Sequence, residues 1–210
     1  MRAGLRTRLL MPLLAVLLAG CVGTGRSPPP VAVYDLGPPA SAQPAAIGYP
    51  VRSVAVDAPS WLESPAMHYR LLYADPARLA SYGESRWAAR PAELLEQTLR
   101  RAVGEGGQGA GPGCRLAVDL DEFVQSFRSP TESEAVIELR VRLLPPRGEG
   151  TLAAKHFSIA RPASAADARA GVEAFRAAAQ DLSVAVRDWL VALDREERQG
   201  LNIGRICRGG

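Results

Sequence analysis

Ile137-Glu138-Leu139-Arg140-Val141-Arg142-Leu143 is the stretch that decides the architecture. Apolar and charged residues alternate through it without a miss, and strand side chains point to opposite faces with a period of two. It reads as a half-buried strand. Upstream, Leu116, Val118 and Leu120 alternate in the same way, after which the inward set moves to Phe123, Gln125 and Phe127. A change of phase by one residue inside a strand predicts a bulge near Asp121-Glu122. Ser129 to Ser133 is a turn cluster, Pro145 to Gly150 is another, and Leu152 to Ile159 carries a further strand. Three successive antiparallel strands result.

Outward from this meander the period changes. Val172, Phe175, Ala179, Leu182, Val186, Trp189 and Leu193 recur at alternating steps of three and four, an apolar stripe suited to lying across a sheet or against a helix. Ser164-x-x-Asp167 has the form of a capping box ahead of it, and Gly200 is placed to stop it. A first long helix is predicted from Trp87, with Pro91, Leu94, Leu95, Thr98, Leu99 and Ala102 on one side and Gly104 at its end. Asp75-Pro76 predicts a helix of one or two turns before Gly83. Nearer the N-terminus, Met67, Tyr69, Leu71 and Tyr73 alternate as a strand, as do Val54 and Val56, and Val31 to Leu36 reads as a short first strand.

The first 20 residues are of another kind. Arg2, Arg6 and Arg8 precede the apolar run Leu9–Leu18, which Pro12 interrupts. That run is about half the roughly 20 residues a membrane-crossing helix needs, and it fits the apolar region of a secretory signal. Leu18-Ala19-Gly20-Cys21 then matches the lipobox, so residues 1–20 are expected to be removed and Cys21 to be acylated. Acyl chains at roughly 0.8 kcal/mol per buried methylene would hold the chain on a membrane without spanning it. Residues 21–30 form a Gly-, Ser- and Pro-rich tether, 31–200 a single domain, and 201–210 a tail. The excised segment holds three arginines and no acid, so the formal charge of +3 belongs to the signal and the remainder is neutral. A neutral domain gives no support for nucleic-acid binding.

With Cys21 acylated, Cys114 and Cys207 are the remaining thiols, and an oxidising compartment allows them to pair. Two separate thiols are the alternative, because spacing alone does not set their Cα distance. Gly104-x-Gly106-x-x-Gly109 satisfies the dinucleotide fingerprint by letter, but that motif needs a strand before it and a helix after it. Here the order is reversed, and a loop is expected. His68 and His156 have no second histidine or cysteine at metal-ligand spacing, so no metal site, cofactor or catalytic set is expected.

The succession of lipobox, Tyr34-Asp35-Leu36, Val54-Ala55-Val56 and Trp61-Leu62-x-x-Pro65, with Arg86-Trp87-Ala88 where the first helix begins, resembles the ABC-type transport auxiliary lipoproteins, the PqiC-like group. Glu63-Ser64 departs from the basic residue expected before Pro65. The resemblance implies a two-layer α+β fold, a mixed and mostly antiparallel sheet of about five strands with two long helices on one face. It further implies an auxiliary subunit of a lipid transport system built on an MCE-domain periplasmic protein and an inner-membrane ABC transporter. Such a subunit would do no chemistry. It would dock the conduit to the outer membrane, as one copy or as a homo-oligomer, and so support envelope integrity. Val22 stands where aspartate would signal inner-membrane retention in enteric bacteria, which favours the periplasmic face of the outer membrane. Trp61 and Leu62, on a Pro-bounded loop, are candidate partner contacts, with core anchoring of Trp61 the alternative. A rival reading is a periplasmic lipid-binding module, with an acyl chain held between helices and sheet.

Overall fold

The computed structural model describes residues 30–38, 47–104, 111–195 and 202–209. The chain divides into two units, Met1–Pro30 and Val31–Gly210. The predicted signal segment, Cys21 and Gly200 lie outside the described residues. In chain order the second unit forms β1 (Ala32–Tyr34), β2 (Val51–Asp57), a 3-10 turn (Ser60–Leu62), β3 (Ala66–Leu71), β4 (Leu79–Trp87) and α1 (Pro91–Val103). It continues with β5 (Cys114–Phe127), β6 (Ser133–Leu144), β7 (Ala153–Pro162), α2 (Ala168–Arg195) and α3 (Ile203–Arg208). One mixed sheet runs β1-β4-β3-β5-β6-β7, and β2 shares with β3 the same edge of β5.

The meander forms where the alternation predicts it. β6 pairs antiparallel with β5 from Arg115↔Leu144 to Phe127↔Ser133, and with β7 from Leu143↔Ala153 to Glu134↔Pro162. Ala135, Ile137, Leu139, Val141 and Leu143 are wholly buried, while Glu138, Arg140 and Arg142 point to the other face. The β5–β6 register slips between Leu120 and Glu122, at the change of phase. Before the slip Leu116, Val118 and Leu120 face inward; after it Phe123, Gln125 and Phe127 do. α2 buries all seven residues of its stripe against β6 and β7, α1 packs on β2, and the two helices touch. Both long helices therefore cover one face, as expected for a two-layer α+β fold.

Four local expectations are corrected. The sheet has seven strands among the described residues, not about five, because β1 and β4 extend it beyond β3. Asp75-Pro76 starts a turn, not a helix: the Asp75 carboxylate accepts from the Ala77 amide at 3.1 Å, and β4 follows. Asp-Pro serves turns as readily as helix starts, and no apolar helical period follows it. Trp87 consequently ends β4, and α1 begins at Pro91, whose missing N–H costs nothing in the first turn. At the start of α2 the cap is Asp167, accepting from the Ala170 amide at 2.8 Å, not Ser164.

Two further ties hold the layers in place. Gln125 is fully buried; its amide donates to Ser133 Oγ at 2.8 Å and to the Asp167 carbonyl at 3.2 Å, and it accepts from the Tyr82 hydroxyl at 3.0 Å. One side chain thus joins β4, β6 and the start of α2. Gly171 makes this possible, since a Cβ there would lie 2.1 Å from the Gln125 amide oxygen. The second tie is covalent. Cys114, first residue of β5, is disulfide-bonded to Cys207, with 4.8 Å between Cα atoms. Residues 202–209 carry a short helix: Asn202 caps α3 by accepting from the Arg205 amide at 2.8 Å, and Ile203 and Cys207 are buried.

Gly171→Ala should destabilise the fold although alanine is the better helix former. The propensity gain is about 1 kcal/mol, against about 1–3 kcal/mol for overpacking a filled site, with broken Gln125 hydrogen bonds in addition. Urea unfolding should show a lower midpoint; an unchanged or higher one would mean that Gln125 moves aside freely. Replacing Cys114 and Cys207 together by serine should cost about 2–4 kcal/mol and free the α3 amides to exchange. Hydrogen exchange over residues 202–209 measures the second effect directly.

Candidate functional site

Arg86-Trp87-Ala88 lies at the far end of β4, where three strands meet. The Trp87 amide donates to the Pro65 carbonyl at 2.8 Å, and the Ala88 amide to the Tyr34 carbonyl at 2.6 Å. The Trp87 indole is 1 % exposed and meets Phe123 and Phe175 edge-on, with centroids at 5.4 and 5.3 Å; those two rings stack at 4.3 Å. The motif thus joins β1, β4, β5 and α2 through its backbone and its indole. Its indole belongs to the core, while Arg86 and Ala88 on either side are exposed.

Trp61 and Leu62 sit in the 3-10 turn between β2 and β3. Leu62 is fully buried, which removes it as a surface contact: the turn folds back and spends its leucine on the core. Trp61 is half-buried, edge-on to His68 at 5.8 Å, and its carbonyl is 3.1 Å from His68 Nε2. His156 is exposed on β7, with β5 and β6 between it and the strand of His68. Three inter-strand gaps of about 4.8 Å put the two histidines at least roughly 14 Å apart, too far for a shared proton or metal. No cluster of three metal-ligating side chains occurs among the described residues.

The face of the sheet away from the helices carries a charge ladder. Arg142 donates from both Nε and Nη2 to Asp119 at 3.1 and 3.2 Å, Arg70 pairs with Glu122 at 3.1 Å, and the Ser158 hydroxyl donates to Glu138 at 2.9 Å. Arg142 and Arg70 thus each have an acid beside them, while Arg115 donates to the Pro145 carbonyl at 3.3 Å. Sequence reading overlooked this ladder, although its members were legible as the outward residues of β3, β5 and β6. On the other face, the space that an acyl chain would need is filled by Trp87, Phe123, Phe175, Leu95, Leu99 and Leu182. Grooves beside the helices are open and mixed in lining. One of about 380 Å³ runs past Val33, Tyr34, Asp35, Ala88 and Arg176, and one of about 290 Å³ past Arg52, Ser53, Arg100 and Gly104.

The second groove lies at Gly104, the first glycine of the dinucleotide-like motif; residues 105–110 are outside the described set. Gly104 has φ of 85° and closes the C-terminal end of α1, with Arg100 and Arg101 in its last turn. The helix offers carbonyls there, the end that repels phosphate. Motif and geometry part company here.

Glu122 stands directly opposite Glu138 across the β5–β6 ladder. Burial is the main influence on the Glu122 carboxyl and pushes its pKa up, Arg70 opposes this, and Glu138 and Asp121 add to the rise. A carboxyl whose pKa is higher in the folded chain stabilises fully below its unfolded pKa, and that contribution is lost as pH rises through the folded value. Glu122→Gln should therefore raise the urea midpoint at pH 7.5, with the gain shrinking as pH falls towards 4. A lowered midpoint at pH 7.5, with the loss fading as pH falls, would show that the Arg70 ion pair outweighs the burial.

Among the described residues no helix is long and apolar enough to cross a membrane. The sequence profile of the ABC-type transport auxiliary lipoprotein components matches residues 34–187. A crystal structure of a Xanthomonas campestris protein assigned to the DUF330 family superposes with a TM-score of 0.62 at 23 % identity, covering 79 % of this chain and 94 % of that one. A second, of an uncharacterized protein, gives 0.59 at 14 % identity, covering 77 % and 99 %. At these identities the likeness speaks for the fold alone. No curated protein matches the chain. The matched span begins at Tyr34, the last residue of β1, takes in β2 to β7 and runs through most of α2; the chain belongs to the family of ABC-type transport auxiliary lipoprotein components.

Proposed function

We propose that this chain is a lipid-anchored periplasmic subunit that docks the conduit of an MCE-type, ABC-driven lipid transport system to the outer membrane. The observation that carries the proposal is the lipobox ending at Cys21, set ahead of a domain that belongs to a transport auxiliary lipoprotein family. Acylation holds the chain at a membrane, and Val22 favours the outer one. The helix–sheet interface is packed with its own side chains, which supports a role in holding components together over one in carrying a lipid inside the domain. The polar ladder on the open sheet face, with its Arg142–Asp119 and Arg70–Glu122 pairs, is compatible with a protein partner.

Labelled palmitate should enter the protein, and Cys21→Ala should abolish the label and leave the chain at its precursor length. From cells expressing a tagged copy, extraction in mild detergent after cross-linking should recover an MCE-domain protein. Absence of the label overturns the anchor; repeated recovery without such a partner overturns the docking role while leaving the anchor in place.

A further inference from the structure

We infer that the β3–β4 turn, Leu72 to Arg78, is a second membrane contact, resting among phospholipid headgroups with Leu72 and Tyr73 against the acyl boundary. The inference rests on the acylation of Cys21 proposed above. Leu72 is 39 % and Tyr73 48 % exposed, adjacent, and followed by exposed Ala74, Pro76 and Ala77. Alternation along β3 predicts an inward Tyr73, but the strand ends at Leu71 and the chain turns outward instead. An exposed leucine beside a tyrosine is the pairing that suits a bilayer interface, where one end of the ring is apolar and its hydroxyl is wet. The turn has two charged side chains of opposite sign, Asp75 and Arg78, and Asp75 already accepts from the Ala77 amide.

The turn is also built to keep its shape. The Ala74 and Asp75 amides donate to the Leu71 carbonyl at 3.1 and 2.9 Å, and the Arg78 amide to the Asp75 carbonyl at 3.2 Å. Arg70 Nη1 donates to the Pro76 carbonyl at 3.1 Å, and the Leu72 amide to the Phe127 carbonyl at 2.9 Å. Docking such a turn costs little ordering entropy and brings few unpaired backbone groups to the apolar boundary.

Topology aims it. β4 runs away from the turn, and β1 lies parallel to β4, with Ala32 opposite Ser85. The start of β1 therefore points back towards the end of the sheet that bears the turn. From Ser85 back to Leu79, six residues at about 3.3 Å each make roughly 20 Å. The ten residues from Cys21 to Val31 reach roughly 31 Å when extended. The tether is long enough for anchor and turn to touch one surface, and short enough to keep the turn near it.

Leu72→Cys, Tyr73→Cys and, on exposed β7, Ala154→Cys can each be labelled with an environment-sensitive fluorophore in the full-length acylated protein. Its own cysteines would be acylated or disulfide-bonded, so the introduced thiol is the reactive one. In vesicles of phosphatidylethanolamine and phosphatidylglycerol, labels at 72 and 73 should shift to the blue and be quenched by lipids carrying a shallow quencher; the label at 154 should do neither. If the protein floats with the vesicles while all three labels remain water-like, the inference is overturned and the anchor stands. Failure to float overturns the anchor and this inference with it. A blue shift at 72 only after the MCE-domain protein is added would make the turn a protein contact and overturn the membrane one.

Discussion

One residue of slip in β5 sets the terms for everything packed around it. Upstream of Asp121-Glu122 the even-numbered side chains of the strand meet the helices; downstream the odd-numbered ones do. An unbroken strand would carry Phe123, Gln125 and Phe127 to the opposite face. Phe123 would leave its contacts with Trp87 and Phe175, and with them the aromatic join of β5 to β4 and α2. Gln125 would leave Tyr82, Ser133 and Asp167 without their shared partner. The slip also falls between the part of β5 that pairs with β2 and the part that pairs with β3. A bulge bends and twists its strand, so two strands laid end to end along one edge can each meet the direction they need.

What could be read in advance followed how strongly a segment insists on one period. Ile137 to Leu143 insists on two and Val172 to Leu193 on alternating three and four, and both form as written. The bulge was visible because a change of phase is itself a pattern. β4 was not. Leu79-Ala80-Ser81-Tyr82-Gly83-Glu84-Ser85-Arg86-Trp87 has a glycine at its centre and few large apolar residues, since much of it lies half-exposed near the edge of the sheet. Without a strand pattern before it, Trp87 reads as the start of the helix beyond. Leu62 and Trp61 show a different limit: a Pro-bounded loop looks exposed in sequence, yet its leucine points inward, and only tertiary packing decides that. Compartment made the Cys114–Cys207 pair conceivable, but its distance depended on where α3 docks.

Family membership settles the coarse identity, an ABC-type transport auxiliary lipoprotein component, and the packing shapes what can be proposed within it. The signature Arg86-Trp87-Ala88 is easily taken for a binding motif. Its indole is buried, and two of its backbone amides are used to join strands. A short motif can recur because a junction needs it, with no ligand involved.

A single flexible tether leaves the orientation of an anchored domain free, because roughly 31 Å of extended chain constrains distance and not angle. A subunit proposed to hold a conduit at a membrane needs its orientation limited as well. A second contact at the same surface supplies this without much affinity of its own, since the anchor already keeps the turn at high effective concentration. Weakness is then an advantage: one leucine and one tyrosine would not hold a free domain on a bilayer, so the turn biases the pose without competing with the anchor for the address. With the β3–β4 turn at the lipid, β4 runs away from the membrane and β5 towards it, and the charged sheet face is open to a partner approaching from the side.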